Sequence, residues 1–161
     1  MDGWLDGGLG VRFDHVAHAA ERIADLLPLY ADVLGGRLVE GGTNPRYGYR
    51  AIKLGYADGS KVELLEPLPG SGFLDAFLAR HPRGGLHHVT FVVADVRAAV
   101  RRAEERGLET IGVSLDDPDW HEAFLHPRVA RGALVQLVWA SGRPTAGMDP
   151  DLTLDALRAA A

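Results

Sequence analysis

The chain has 161 residues, a formal net charge of −5 and no cysteine. The acidic balance and the lack of a basic stripe argue against a nucleic-acid partner. Without cysteine there are no disulfides and no thiolate ligands, so any metal must be bound by histidine, carboxylate or amide groups. No apolar run approaches the roughly 20 residues that span a bilayer, and the N-terminus does not resemble a signal peptide. We therefore expect a cytoplasmic protein with no membrane partner.

Hydrophobic periodicity predicts a first module with the element order β-α-β-β-β over residues 11–68. A flexible arm of residues 1–10 is predicted to precede it. The predicted elements are a strand over 11–19, a helix over 21–34, and strands over 37–40, 49–56 and 61–66. Pro28 predicts a kink or a late start of the helix. The Gly-rich stretch 41–45 is predicted to be a loop.

The same element order is predicted for a second module over residues 86–140. A connector of residues 69–85, with a short helix over 73–80, is predicted to join the two. The predicted elements of the second module are a strand over 86–94, a helix over 96–106, and strands over 109–113, 121–126 and 133–139. Residues 141–161 are predicted to form a C-terminal tail with a helix over 152–160.

The two modules carry ligand-type side chains at matching positions. His15 and His88 are 73 residues apart, and so are Glu63 and Gln136. A fixed offset of this kind is the mark of an internal repeat, which determines the architecture. Duplication alone preserves apolar spacing and does not require metal-ligand residues at both pairs. The match therefore favours a metal site.

Strand geometry explains how the four side chains could meet. Alternate side chains of a strand share a face, so each module can present one His and one Glu or Gln on a curled sheet. Two imidazoles, a carboxylate and an amide oxygen suit one divalent ion such as Mn, Fe, Co, Ni or Zn. An ion with open coordination positions can polarise a carbonyl and stabilise an enolate.

With these residues in view, the chain resembles the vicinal oxygen chelate superfamily. That superfamily includes glyoxalase I, methylmalonyl-CoA epimerase, extradiol dioxygenases, and fosfomycin and bleomycin resistance proteins. The resemblance covers about residues 11–140 and is greatest to the methylmalonyl-CoA epimerase-like members. The supporting segments are FDHVA at 13–17, KVELLEPL at 61–68, LHHV at 86–89, FLHP at 124–127 and GALVQL at 132–137.

The resemblance implies an α+β fold of two tandem βαβββ modules that form curled mixed sheets around a metal cleft. It implies that His15, Glu63, His88 and Gln136 are the metal ligands. Family enzymes usually carry Glu at the position of Gln136, and in glyoxalase I-like enzymes that Glu also transfers a proton. A carboxamide cannot act as a general base, so the sequence predicts the metal site but not its usual base.

A second departure concerns the catalytic Glu that the resemblance implies on the third strand of module one. The corresponding stretch, residues 48–51, contains no carboxylate. The remaining candidates for proton transfer are Glu40, Lys53, Glu122 and His126. The candidates for contact with substrate are Tyr49, Arg50 and Trp120.

Three functions stay open on the sequence. The first is a metal-dependent epimerase, isomerase or lyase acting on a small carbonyl or acyl-thioester substrate. The second is an Fe(II) dioxygenase, with Glu63 as the carboxylate beside two histidines. The third is a protein that binds an antibiotic or metabolite without turnover, which the missing base favours. In each case we expect a small-molecule partner and a homodimer.

Overall fold

A computed structural model describes residues 8–70, 72–142 and 148–160. The described residues form two compact units, one of 16–70, 72–87 and 148–160 and the other of 8–15 and 88–142. We call them the first-module unit and the second-module unit. The chain passes between them after His15 and after His87, so the His15 side chain belongs to the second-module unit. Of the predicted arm, residues 1–7 lie outside the described residues.

The first-module unit contains a mixed sheet. Its strands are β1 (Arg12–Ala19), which belongs to this unit from Val16 onward, β2 (Arg37–Asn44), β3 (Tyr49–Gly55) and β4 (Lys61–Pro67). They lie in the order β2-β3-β4-β1, with β2, β3 and β4 antiparallel and β4 parallel to β1. A short helix, α1 (Asp75–Arg80), follows in the connector.

The second-module unit repeats this arrangement. Its elements are β5 (Gly85–Val92), α2 (Val96–Glu104), β6 (Thr110–Ser114), β7 (Trp120–Leu125) and β8 (Val135–Ala140). The strand order is β5-β8-β7-β6, with β5 and β8 parallel and the other pairs antiparallel. The predicted α+β fold of two βαβββ modules with mixed sheets is confirmed.

The repeat extends to the pairing of individual residues. Ala17 of β1 lies opposite Glu63 of β4. The residues 73 positions later, Thr90 of β5 and Gln136 of β8, lie opposite each other in the same way. The two ligand-type positions therefore occupy equivalent places in the two sheets, as the sequence spacing indicated.

The helix of the first module differs from the prediction. The expected helix over residues 21–34 is instead a 3₁₀ turn, Ile23–Asp25, followed by a π-helix, Pro28–Val33. Proline has no N–H to donate, and here it occupies the start of the π-helix, where no such bond is needed. The prediction of one helix, with a kink or a late start at Pro28, was therefore wrong in the type of helix. The apolar spacing still indicated the buried side, because Ile23 and Leu27 are buried.

The predicted loop over residues 41–45 was also wrong, because β2 continues to Asn44. Gly41 pairs with Ile52 of β3, and its carbonyl accepts a hydrogen bond of 2.9 Å from the Asp149 N–H. A Cβ at Gly41 would lie 2.7 Å from Leu152 Cδ2 and 2.9 Å from Ile52 Cγ2. Glycine is needed here for close packing inside a strand, not for a turn.

Each unit has its own apolar core. The first-module core combines the 3₁₀ turn, β3 and β4 with a C-terminal helix, α3 (Leu154–Ala159), which contributes Leu157. The predicted tail helix is therefore present, and it packs on the first module. The second-module core centres on Val93, Val96, Ala99 and Ala123. Among the described residues no helix has the length and apolar character that a bilayer crossing requires.

We predict that Gly41→Ala lowers the free energy of unfolding by about 1–3 kcal/mol, the usual cost of overpacking a filled core. Urea denaturation would measure it. Gly72→Ala is the matched control, because a Cβ there meets no atom within 4 Å. Equal stability of the two variants would contradict the packing role of Gly41.

Candidate metal centre

Two predicted ligands, His15 of β1 and His88 of β5, lie together in the second-module unit. Both are buried, with 2% and 8% of their surface exposed. Their ring centroids are 5.9 Å apart in an edge-to-face arrangement, and their ligand-capable nitrogen atoms lie within 4.8 Å of each other. The structure therefore brings the two histidines of the repeat to one site.

A carboxylate orients the first of these rings. His15 Nδ1 donates a hydrogen bond of 2.8 Å to Asp14 Oδ2, while Asp14 Oδ1 accepts one of 3.0 Å from Arg12 Nη1. A carboxylate that holds one ring nitrogen directs the other at a ligand and is typical of metal-binding histidines. The role of Asp14 could not be predicted from the sequence, because alternate side chains of a strand share a face and Asp14 is adjacent to His15.

The other nitrogen of His15 points at a buried threonine. Thr90 Oγ1 lies 3.0 Å from His15 Nε2 and donates a hydrogen bond of 2.7 Å to Gln136 Oε1. Thr90 is fully buried, and it shares a face of β5 with His88, because the two residues are two positions apart in a strand. The hydroxyl thus joins two of the predicted metal ligands.

Gln136 is held on its other side by Glu122 of β7. The Gln136 Nε2 atom donates a hydrogen bond of 3.0 Å to Glu122 Oε2, and Trp120 Nε1 donates one of 3.2 Å to the same oxygen. A continuous series of close polar contacts therefore runs from Asp14 through His15, Thr90 and Gln136 to Glu122 and Trp120.

Sheet register explains why Glu122 reaches Gln136. Phe124 lies opposite Gln136, and Glu122 lies two residues along the same strand, opposite Val138. Residues two apart share a face, and such diagonal neighbours are within reach of long side chains. Phe124 has the same orientation, and its ring centroid lies 6.5 Å from that of His88. Of the candidates for proton transfer, Glu122 is the one placed beside these residues in the second-module unit.

The donor set of this site fits a divalent cation. The Thr90 hydroxyl has one hydrogen to give, and two acceptor atoms, His15 Nε2 and Gln136 Oε1, lie within hydrogen-bonding distance of it. The Asp14 carboxylate accepts a hydrogen bond from Nδ1–H of His15, so Nε2 of a neutral His15 presents a lone pair. A cation is the natural partner of a nitrogen and an oxygen lone pair that converge in a buried place.

The fourth predicted ligand, Glu63, belongs to the first-module unit. It lies on β4, opposite Ala17 of β1 and Lys53 of β3. Lys53 Nζ binds Glu40 Oε1 at 2.7 Å, which pairs two of the candidates for proton transfer with each other.

The other candidates have local partners. His126 Nδ1 accepts a hydrogen bond of 3.1 Å from the Arg128 N–H at the end of β7. Arg50 Nη1 binds Glu66 Oε1 at 2.7 Å, and the second oxygen of Glu66 accepts the Ile23 N–H. Tyr49 packs with its ring 5.3 Å from that of Phe73. Of the three residues expected to contact substrate, Trp120 is the one that hydrogen bonds within the site.

Comparison with known proteins agrees with this architecture. Residues 14–124 match the Glyoxalase/Bleomycin resistance protein/Dioxygenase superfamily. The chain belongs to this superfamily. The matched region begins at Asp14 and ends at Phe124, so it includes both histidines and Glu122. The resemblance seen in the sequence is confirmed.

Several similar superfamily proteins are epimerases. The chain is 32% identical to the ethylmalonyl-CoA/methylmalonyl-CoA epimerase of Cereibacter sphaeroides over 78% of this chain and 96% of the relative. It is 30% identical to the mitochondrial methylmalonyl-CoA epimerase of Mus musculus over 78% of this chain and 71% of the relative. The structure of Streptomyces coelicolor methylmalonyl-CoA epimerase with 2-nitronate-propionyl-CoA matches at 26% identity and a TM-score of 0.71, covering 83% of this chain and 99% of that one.

We predict that Thr90→Val destabilises this superfamily member by about 1–3 kcal/mol, because valine removes the buried hydroxyl that joins His15 to Gln136. Thr110→Val in β6 is the matched control, because Thr110 lies outside this group of side chains. Urea denaturation of metal-free protein would measure both. If Thr90→Val cost no more than Thr110→Val, the hydroxyl would not hold the site together.

Proposed function

We propose that the protein is a metal-dependent epimerase of the glyoxalase superfamily. Its substrate would be an acyl-CoA thioester of the methylmalonyl-CoA type, whose carbon next to the carbonyl loses and regains a proton. The observation that carries the proposal is the buried hydrogen-bonded group of His15, Thr90 and Gln136 beside His88. The similarity to methylmalonyl-CoA epimerases supports the choice of substrate.

We propose that His15, His88 and Gln136 hold one divalent ion, with Co, Mn, Ni, Zn or Fe as candidates. The 73-residue repeat supports Glu63 as the fourth ligand, because it is the first-module equivalent of Gln136. When bound, such an ion polarises a carbonyl oxygen and stabilises negative charge on it. Asp14 keeps His15 in the tautomer that offers Nε2.

We propose that Glu122 transfers the proton. In module one, Ala51 of β3 lies opposite Leu65 of β4. In module two, Glu122 of β7 lies opposite Val138 of β8, and Val138 is 73 residues after Leu65. Glu122 is therefore the second-module equivalent of Ala51, in the third-strand stretch where module one has no carboxylate. Both hydrogen bonds to Glu122 end on Oε2, so among the described residues Oε1 has no donor.

The proposed reaction removes a proton from carbon and then returns one to its other face. Glu122 Oε1 takes the proton from the carbon next to the thioester carbonyl. The electron pair of that C–H bond forms the carbon–carbon double bond of an enolate, whose oxygen carries the charge. Water delivers a proton to the opposite face of the carbon, which inverts its configuration, and the Glu122 carboxyl then returns its proton to the hydroxide that this leaves.

The metal site is tested by the metal content of purified protein. We expect one divalent ion per chain in the wild type and its loss in His15→Ala, because His15 Nε2 is a proposed ligand. His81→Ala is the matched control, since His81 lies at the end of α1 and contacts Phe77. A wild type without stoichiometric metal after growth with each candidate ion would contradict the metal site.

The reaction is tested by exchange of the C2 hydrogen of methylmalonyl-CoA with deuterium oxide, followed by NMR. We expect Glu122→Gln to slow exchange by about 10²–10⁴-fold, the usual contribution of a general base, while bound metal is retained. Glu109→Gln, at an exposed position before β6, is the matched control.

The outcomes of this experiment separate the candidate functions. Exchange in the wild type that persists in Glu122→Gln would remove Glu122 as the base but leave the epimerase in place. Metal-loaded wild type that binds acyl-CoA without exchange would support a binding protein instead. Turnover that requires oxygen and Fe(II) would support a dioxygenase.

A further inference from the structure

We propose that Glu122 has a second role as a positioning residue, because it determines which atom of Gln136 is offered as a ligand. The inference deepens the proposed function and rests on its metal site. An amide side chain can present either its oxygen or its NH₂ group, and only the oxygen has a lone pair for a cation. The orientation of Gln136 therefore decides whether this position can hold a metal.

The carboxylate of Glu122 determines this orientation. An ionised carboxylate only accepts hydrogen bonds, so the group of Gln136 that lies 3.0 Å from Glu122 Oε2 must be the NH₂. Trp120 Nε1, a group that can only donate, lies 3.2 Å from the same oxygen and keeps it in place. The reverse orientation would set the Gln136 oxygen against a carboxylate oxygen.

The opposite end of the amide agrees with this assignment. Gln136 Oε1 accepts a hydrogen bond of 2.7 Å from Thr90 Oγ1, on the side of the site where His15 lies. Gln136 is thus held between a donor at its oxygen and an acceptor at its nitrogen. Thr90 could reverse its own hydrogen bond by rotating its hydroxyl, whereas Glu122 cannot donate, so Glu122 is the group that removes the alternative.

The negative charge at this end of the site therefore lies on β7 and not on β8. A carboxylate is present on β7 at Glu122, and the neighbouring position on β8 is a neutral amide. It follows that a carboxylate at position 136 is incompatible with the carboxylate at 122, since two like charges at hydrogen-bonding distance repel each other. Gln136→Glu, although it introduces the residue usual in related enzymes, should weaken the site unless Glu122 is changed as well.

The first test measures metal affinity in Glu122→Leu and Glu122→Gln by calorimetry with Co(II), together with the visible spectrum of the bound ion. We expect Glu122→Leu to raise Kd by about 10–100-fold, the range found for residues that orient ligands, and to change the spectrum. Glu122→Gln should keep wild-type affinity and spectrum, because its amide oxygen can accept from both Gln136 and Trp120. Unchanged Kd and spectrum in Glu122→Leu would overturn the proposal.

The second test needs no metal. We expect Gln136→Glu to lower the Tm of metal-free protein at pH 8 by about 4 °C or more. The double variant Glu122→Gln/Gln136→Glu should recover the wild-type Tm, because it restores one amide and one carboxylate. A stable Gln136→Glu, or a double variant no more stable than Gln136→Glu, would overturn the orienting role.

The two tests distinguish this inference from the proposed function. A wild type that binds no metal would overturn the metal-dependent epimerase, and with it the role of Gln136 as a ligand. Metal binding by the wild type with no effect of Glu122→Leu would overturn the positioning role alone. Circular dichroism of each variant would establish that it folds.

Discussion

The site depends on the Thr90 hydroxyl, which lies between two of the proposed ligands. Its hydrogen is donated to Gln136 Oε1, while His15 Nε2 lies 3.0 Å from Thr90 Oγ1. These contacts join β1, β5 and β8 through side chains that are all buried, where polar groups need partners to avoid a desolvation cost. Asp14 and Glu122 then hold the two ends, so the positions of the proposed ligands are determined before any ion binds.

Most of the fold could be predicted because matching residues of the two modules are separated by a constant number of positions in the sequence. The 73-residue spacing reappears as the pairing of Ala17 with Glu63 and of Thr90 with Gln136. The failures were local. Apolar spacing showed that Ile23 and Leu27 are buried but could not distinguish an α-helix from a 3₁₀ turn and a π-helix. Gly41 resembled a turn residue because its packing partners, Ile52 and Leu152, are distant in sequence.

The candidate site was predictable to a different extent. The repeat and strand alternation predicted that His15, His88 and Gln136 lie together, and the structure brings these three side chains to one place. These patterns could not identify Asp14, whose contact is with the adjacent residue's ring. They also could not choose Glu122 from the other candidates, because its contact with Gln136 depends on the β7–β8 register. The Phe124–Gln136 pairing was the missing information.

The position of Glu122 has a chemical consequence that a ligand carboxylate would not have. A carboxylate that binds a divalent ion shares its lone pairs and its charge with that ion, and this lowers its basicity. In this chain an amide, Gln136, stands at the proposed ligand position. The carboxylate of Glu122 lies on the neighbouring strand, and its Oε2 accepts hydrogen bonds from two donors. The proposed function thus assigns metal binding and proton transfer to separate side chains, Gln136 and Glu122. Under the proposed function, the Gln at the last strand therefore places the base on the neighbouring strand instead of removing it.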